Sequence, residues 1–223
     1  MKEWKKNIII PIHKKGSKTE CDNYRAICLS STVLKVYTRV LECRLREIVE
    51  PELEEEQCAF RPGRQTHDHI YSIRTIIEKT TQRGKDLFLA FLDLQAAFDT
   101  VPHATIWKAL EKKNVPPRLT EAIKSTFSNI TGIVRTNGKE SEPFRMASGI
   151  KQGDSLSPLL FIIVMDEVHK ICILRTGLTK VGNWNMRHIY AQALLFADDI
   201  LLIADTEGKL QNMVDEWTRT IEG

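Results

Sequence analysis

The sequence predicts a mixed chain of strands and helices, α/β in the α+β sense, on three observations. Helical periodicities alternate irregularly with apolar runs of strand length, two such runs meet at a diaspartate as in a hairpin, and no repeat or Pro/Gly/Ser-rich linker divides the chain. That pattern is compatible with the fold class without forcing one architecture. In chain order, Ser30, Ser31 and Thr32 are candidate N-caps for a helix whose apolar positions Val33, Val36, Tyr37, Val40, Leu41, Leu45 and Ile48 form one face and which stops before Pro51. A second helix is expected from about Asp68 to Gly84, with Ile70, Ile73, Ile76 and Ile77 inward. Residues 87–93, LFLAFLD, form an almost unbroken apolar run closed by a carboxylate, as in a central strand covered on both faces. Helical patterns follow at Thr105 to Leu110 and Leu119 to Phe127, and Asn137-Gly138 is a hairpin signal because both residues tolerate positive φ. Ser157-Pro158 opens an apolar helix from Leu159 to about His169, with the proline in the first turn, where a missing N–H costs nothing. Ala193 to Ala197 and Ile200 to Ile203 flank Asp198-Asp199, and Thr206 caps a last helix with Leu210, Met213, Val214 and Trp217 inward.

Bulk properties narrow the field only modestly. A chain that is 42% hydrophobic and 27% charged can bury a core and is expected to be one compact unit with sub-regions. A net charge of +3 and a pI near 8.5 permit a polyanionic partner but fall short of a dedicated basic arm. The five cysteines are odd in number and lack C-x-x-C or Cys/His ligand spacing, so neither a disulfide framework nor a zinc site is expected. The apolar run after Asn7 is far shorter than a signal-peptide core or a membrane span. The expectation is an intracellular protein without a membrane partner, with nucleus and cytoplasm both open.

The sharpest chemical signal is a set of three aspartates, Asp93, Asp198 and Asp199, embedded in apolar runs. Clustered carboxylates in such surroundings repel and desolvate badly unless a cation neutralises them. Magnesium suits them, since it takes oxygen ligands and is usually held by one or two carboxylates together with substrate phosphates. Two such ions can clamp the attacking and leaving oxygens of a phosphoryl displacement, a role that a polymerase and a metal-dependent nuclease share. A lone Asp-Asp would read as an ordinary turn, and it is Asp93 that moves the balance. His67 and His69 have no third ligand nearby in the sequence and are not taken as a metal site.

Several stretches together resemble the reverse transcriptases of non-LTR, LINE-like retrotransposons, across essentially the whole chain. NIIIPIHKKGSKTECDNYRAICLSS (7–31) resembles the fingers motif, which implies that Lys15, with Lys14 as the alternative, and Arg25 contact an incoming triphosphate. FLDLQAAFDTVPH (91–103) resembles the first palm motif; by that resemblance Asp93 and the carbonyl of Leu94 bind metal, and Phe98 screens the ribose 2′-position. From the residue alone, Phe98 reads equally well as core. SGIKQGDSLSPLLFIIVMD (148–166) resembles the second palm motif and places Gln152 and Gly153 beside nucleotide and template. FADDILLIA (196–204) resembles the diaspartate hairpin, with Asp198 the second metal ligand and Asp199 its neighbour. AFRPGRQTHDHI (59–70) resembles the segment that lies along the template, which brings in Arg61 and Arg64 with Lys14 as nucleic-acid contacts.

The resemblance implies a right-hand polymerase fold: fingers mainly in residues 1–85, palm in 86–102 and 146–223, residues 103–145 between them, and an antiparallel palm sheet backed by helices. It implies RNA-directed DNA synthesis with two Mg2+ ions, Mn2+ as a substitute, and an RNA template, a DNA primer and dNTPs as partners. The thumb and an endonuclease, expected in the same polyprotein, lie outside these residues. Ala26, Ala59 and Ala96 depart from the usual pattern without removing a metal ligand or Arg25. The alternative reading is a truncated or inactive relic that binds nucleic acid, and a third is an intron-encoded or telomere-associated polymerase.

Overall fold

The computed structural model describes residues 2–177, 180–181, 189–190 and 192–222. Its elements are β1 (Lys6–His13), β2 (Tyr24–Leu29), α1 (Thr32–Val49), α2 (Thr66–Thr81), β3 (Phe88–Asp93), α3 (Ala97–Thr100), α4 (His103–Lys112), α5 (Pro117–Phe127) and β4 (Thr131–Thr136). There follow β5 (Lys139–Glu140), β6 (Phe144–Arg145), α6 (Ser157–Thr176), β7 (Lys180–Val181), β8 (Ile189–Tyr190), β9 (Ala193–Phe196), β10 (Asp199–Ala204) and α7 (Glu207–Glu222). The chain divides into two compact units, each built from two separated stretches: residues 1–52 with 96–161, and residues 53–95 with 162–223. Because the chain passes between them at several points, no single linker is needed, and composition carries no trace of the division.

In the first unit the sheet runs β2-β1-β4-β5, with β6 also paired to β4. β1 is antiparallel to β2 and parallel to β4. Asn137 and Gly138 take φ of 49° and 75° between β4 and β5, the two positive values that a type I′ hairpin turn requires. Ser31 caps α1 by accepting from the Leu34 N–H at 3.3 Å. The buried face of α1 is Leu34, Thr38, Leu41, Glu42, Leu45 and Val49, whereas Val33, Val36 and Val40 are exposed. The apolar stripe expected to point inward therefore points partly outward. Burial of the more polar stripe is possible because its polar members are satisfied: Thr38 bonds Asp154, and Glu42 pairs with Arg39 at 2.8 Å and Arg46 at 2.6 Å. Lys113 is buried as well, its Nζ donating to the Glu52 carbonyl at 3.1 Å.

In the second unit β3, β10 and β9 form an antiparallel sheet in the order β3-β10-β9. The central strand is β10, while β3 lies at the edge with Phe91 77% exposed. A continuous apolar run identifies a strand but not its rank in the sheet. On one face Leu201 and Ile203 meet Ile76 and Ile73 of α2; α7 packs against β10 and β3. Ile70 and Ile77, expected inward, are exposed. A capping box starts α2, with Asp68 accepting from the Gln65 N–H at 2.8 Å. α6 runs two turns beyond the expected end near His169, to a left-handed Gly177 whose N–H donates to the Ile173 carbonyl at 2.9 Å. His169 and Cys172 are both buried in it, and a helix apolar on every side has no periodicity to mark where it stops.

Candidate active site

Asp93 closes β3 and Asp199 opens β10, and the register sets these two residues directly opposite each other. Side chains alternate along a strand, so both carboxylates share the face carrying Phe91 and Leu201, about 4.5–5.5 Å apart at Cβ. Asp198 precedes Asp199 in the turn between β9 and β10 and is half-buried, whereas Asp93 and Asp199 are exposed. The cross-strand partner of Asp93 is thus Asp199, the residue that the resemblance makes the neighbour of a ligand. Leu94 follows Asp93 directly and is half-buried. Asp93 and Asp199 open on a groove of ≈ 430 Å³ lined also by Thr66, His69, Ile70, Phe91 and Phe196.

Among the described residues no three His, Cys, Asp or Glu side chains are grouped so as to hold a metal ion, so the structure pairs Asp93 with Asp199 but does not gather Asp198 with them into a three-carboxylate set. Two facing carboxylates with an open side are instead the partial oxygen shell that Mg2+ takes when substrate phosphates and water complete it. The donor set therefore fits a hard divalent cation whose remaining ligands come from elsewhere. The segment before α2 is tied down by Arg61, which is buried and donates from Nη1 to the carbonyls of Glu54 at 2.6 Å and Gln57 at 3.0 Å. Arg64 pairs with Glu55. These two expected nucleic-acid contacts are thus engaged with their own segment, Arg61 with backbone and Arg64 with a carboxylate.

In the first unit a loop before α6 holds Gln152 and Gly153. Its backbone is tied to residues 98–103: Ile150 N–H donates to the Phe98 carbonyl at 2.6 Å, Gly149 N–H to Val101 at 2.9 Å, and His103 Nε2 lies 2.9 Å from the Gly149 carbonyl. The Gln152 carbonyl accepts from the Cys28 N–H at 2.7 Å. The Gln152 amide donates from Nε2 to both oxygens of Asp99, at 3.2 and 3.1 Å. Gly149 has φ of +83°, and a Cβ there would stand 2.7 Å from the Asp99 carbonyl, so the close approach requires glycine. Burial raises the Asp99 carboxyl above its ordinary pKa, against the opposing pull of the Gln152 bond.

Beneath this loop Asp154 accepts from Thr38 Oγ1 and from the Ser155 N–H at 2.9 Å. Lys151 reaches the Thr126 carbonyl at 3.0 Å and stands 5.6 Å over the Phe127 ring. Burial dominates both ionisations, raising the Asp154 pKa and lowering that of Lys151. Phe98 stacks on Phe161 with centroids 4.4 Å apart, so the ring expected to screen a sugar has a core partner too. Lys14, Lys15 and Arg25 are exposed, the lysines in the connection between β1 and β2 and the arginine on β2 opposite Ile12. Gln57 and Asp99 carried no assigned role in the sequence, because what each does depends on a partner far away in the chain.

Residues 12–222 match the family described as reverse transcriptase (RNA-dependent DNA polymerase). The chain is 31% identical over 213 residues to the retrovirus-related Pol polyprotein from type-1 retrotransposable element R2 of Nasonia vitripennis, covering 92% of this chain and 19% of that protein. It is 29% identical over 194 residues to the Pol polyprotein from type-2 retrotransposable element R2DM of Drosophila melanogaster, covering 87% of this chain and 18% of that protein. The chain thus spans less than a fifth of the length of these two relatives. Among solved structures, telomerase from Candida albicans in complex with a TWJ fragment of telomeric RNA aligns over 100% of this chain and 40% of its own, with a TM-score of 0.66 and 14% identity. At that identity the likeness speaks for the fold alone.

Proposed function

The chain belongs to the reverse transcriptase family, as a domain of the non-LTR retrotransposon kind, and on that premise we propose that it is the core of an RNA-directed DNA polymerase using two divalent metal ions. The observation that carries the reading is the juxtaposition of Asp93 and Asp199 across two strands, with Asp198 in the adjoining turn. Two Mg2+ ions, when bound, lower the pKa of a primer 3′-hydroxyl and neutralise a triphosphate. Asp93, Asp198, Asp199 and the Leu94 carbonyl are the proposed holders of those ions, with Mn2+ as a substitute.

Arg25 offers a planar fork for phosphate oxygens and Lys15 a point charge on a flexible stem, and both are exposed as such roles require. Gln152 and Gly153 face the nascent base pair in this reading. Phe98 limits the space at the 2′-position. Lys14 and Arg64 contact template phosphates, and the part of Arg61 is to hold the segment that precedes α2. The partners are an RNA template, a DNA primer and dNTPs, with other domains of a polyprotein supplying the remaining grip. The reading places the protein inside the cell, in nucleus or cytoplasm; among the described residues no helix is long and apolar enough to cross a membrane.

The test is primer extension on an RNA template with Mg2+ or Mn2+, comparing the chain with Asp93→Asn and Asp198→Asn, each with and without a grafted thumb. Metal-dependent extension that either substitution abolishes is the expected result. Salt-sensitive RNA binding without extension in any form would replace the polymerase reading with that of a nucleic-acid-binding relic.

A further inference from the structure

Ala197, the first residue of the turn that presents the diaspartate, is in an unusual position. Asp199 pairs with Phe196, which leaves Ala197 and Asp198 as a two-residue connection between β9 and β10. Ala197 has φ of 58°, a value that residues other than glycine adopt rarely, while Asp198 has no positive φ. An alanine persists there only if its surroundings hold it. Ala197 is also 5% exposed, so its N–H, outside the β9–β10 ladder, needs an acceptor other than water.

That acceptor is Gln57, a residue 140 positions away that is itself 1% exposed. Its Oε1 accepts from the Ala197 N–H at 3.3 Å and from the Ala59 N–H at 3.0 Å. Its backbone lies alongside β9 as a parallel bridge to Leu195. On either side of that bridge, Cys58 N–H donates to the Leu195 carbonyl at 3.0 Å and Leu195 N–H donates to the Glu56 carbonyl at 2.8 Å. His69 Nε2 approaches the same Leu195 carbonyl at 2.9 Å. The Gln57 Nε2 has no hydrogen-bond partner among the described residues, so it is the oxygen end of the amide that the fold uses.

We propose that Gln57 is a positioning residue for the diaspartate: by holding the Ala197 backbone in its left-handed conformation, it sets the direction in which Asp198 and Asp199 present their carboxylates. The proposal rests on the reading of those carboxylates as metal ligands. Gln57 touches neither the metal nor a substrate; it acts through the turn.

The test uses the 223-residue chain and three variants. Gln57→Leu keeps the shape and removes the acceptor, Gln57→Asn keeps the amide and withdraws the oxygen by one carbon, and Gln57→Glu restores an oxygen at full reach. Amide exchange at Ala197 in metal-free protein reports the hydrogen bond, Mn2+ titration followed by electron paramagnetic resonance reports the site, and the Mg2+ concentration for half-maximal extension reports its use. Gln57→Leu and Gln57→Asn should accelerate Ala197 exchange and weaken Mn2+ binding roughly ten- to a hundredfold, as loss of an outer-shell partner does. Gln57→Glu should recover both. A residue that merely stabilises the fold would lower the melting temperature without moving the metal requirement, and that result overturns the proposal. So does wild-type Mn2+ affinity in whichever of the two acceptor-removing variants folds. A wild-type chain that binds no Mn2+ would sink the metal reading itself, an outcome distinct from wild-type binding that the substitutions leave unchanged.

Discussion

Asp99 and Gln152 show how one side chain can settle which end of another faces outward. Both oxygens of Asp99 receive the Gln152 amide nitrogen, leaving Oε1 as the end free to meet a ligand. Asp99→Leu removes that constraint, and the expected outcome is a several-fold higher KM for dNTPs in steady-state extension, with a smaller change in kcat. An unchanged KM would mean that Gln152 needs no such partner. His169 supports a pH prediction. Burial depresses its pKa to about 4 from 6.5, so between those values the unfolded chain binds a proton that the folded chain refuses. The stability associated with the neutral ring is present above pH 6.5 and is lost as the pH falls toward 4, by an amount on the order of 3 kcal/mol. Urea titrations across that range should show the decline, and His169→Phe should flatten it.

At the scale of the element, α1 separates what a helical pattern says from what packing chooses. Val33, Val36 and Val40 are exposed, so changing any of them to lysine should alter stability by less than about 0.5 kcal/mol. Leu41→Ala or Leu45→Ala should cost about 2–5 kcal/mol, since both side chains are buried. The reverse ranking in denaturant unfolding would overturn this orientation of the helix. Thr38 supplies the physical reason for it. A threonine on the inward face is tolerable because its hydroxyl donates to Asp154, and Thr38→Val should cost about 1–3 kcal/mol by leaving a buried carboxylate short of a donor. The Asn137-Gly138 hairpin is the opposite case, since its two positive φ values are a local demand that the dipeptide meets unaided.

Across the whole molecule, both compact units are assembled from stretches distant in sequence, and β1 shows the consequence. It lies between β2 and β4, joining residues near position 10 to residues beyond 130. Removing residues 1–13 takes out an interior strand, and the expected outcome is loss of the cooperative unfolding transition of the first unit, followed by tryptophan fluorescence or amide exchange. Such long-range pairing is also where the legibility of the sequence ended. Helices, the Asn-Gly turn, the diaspartate hairpin and the order of the motifs were readable because each is local: periodicity, caps and turn chemistry act over a few residues. With the motifs came the family and the identities of the carboxylates. The sequence alone did not say that β10 and not β3 is the central strand, that Asp93 lies opposite Asp199, or that Gln57, Thr38 and Asp99 hold other groups in place. Those depend on which distant segments come together, and hence on the desolvation of each polar group and the partner it then finds, which only the tertiary structure decides.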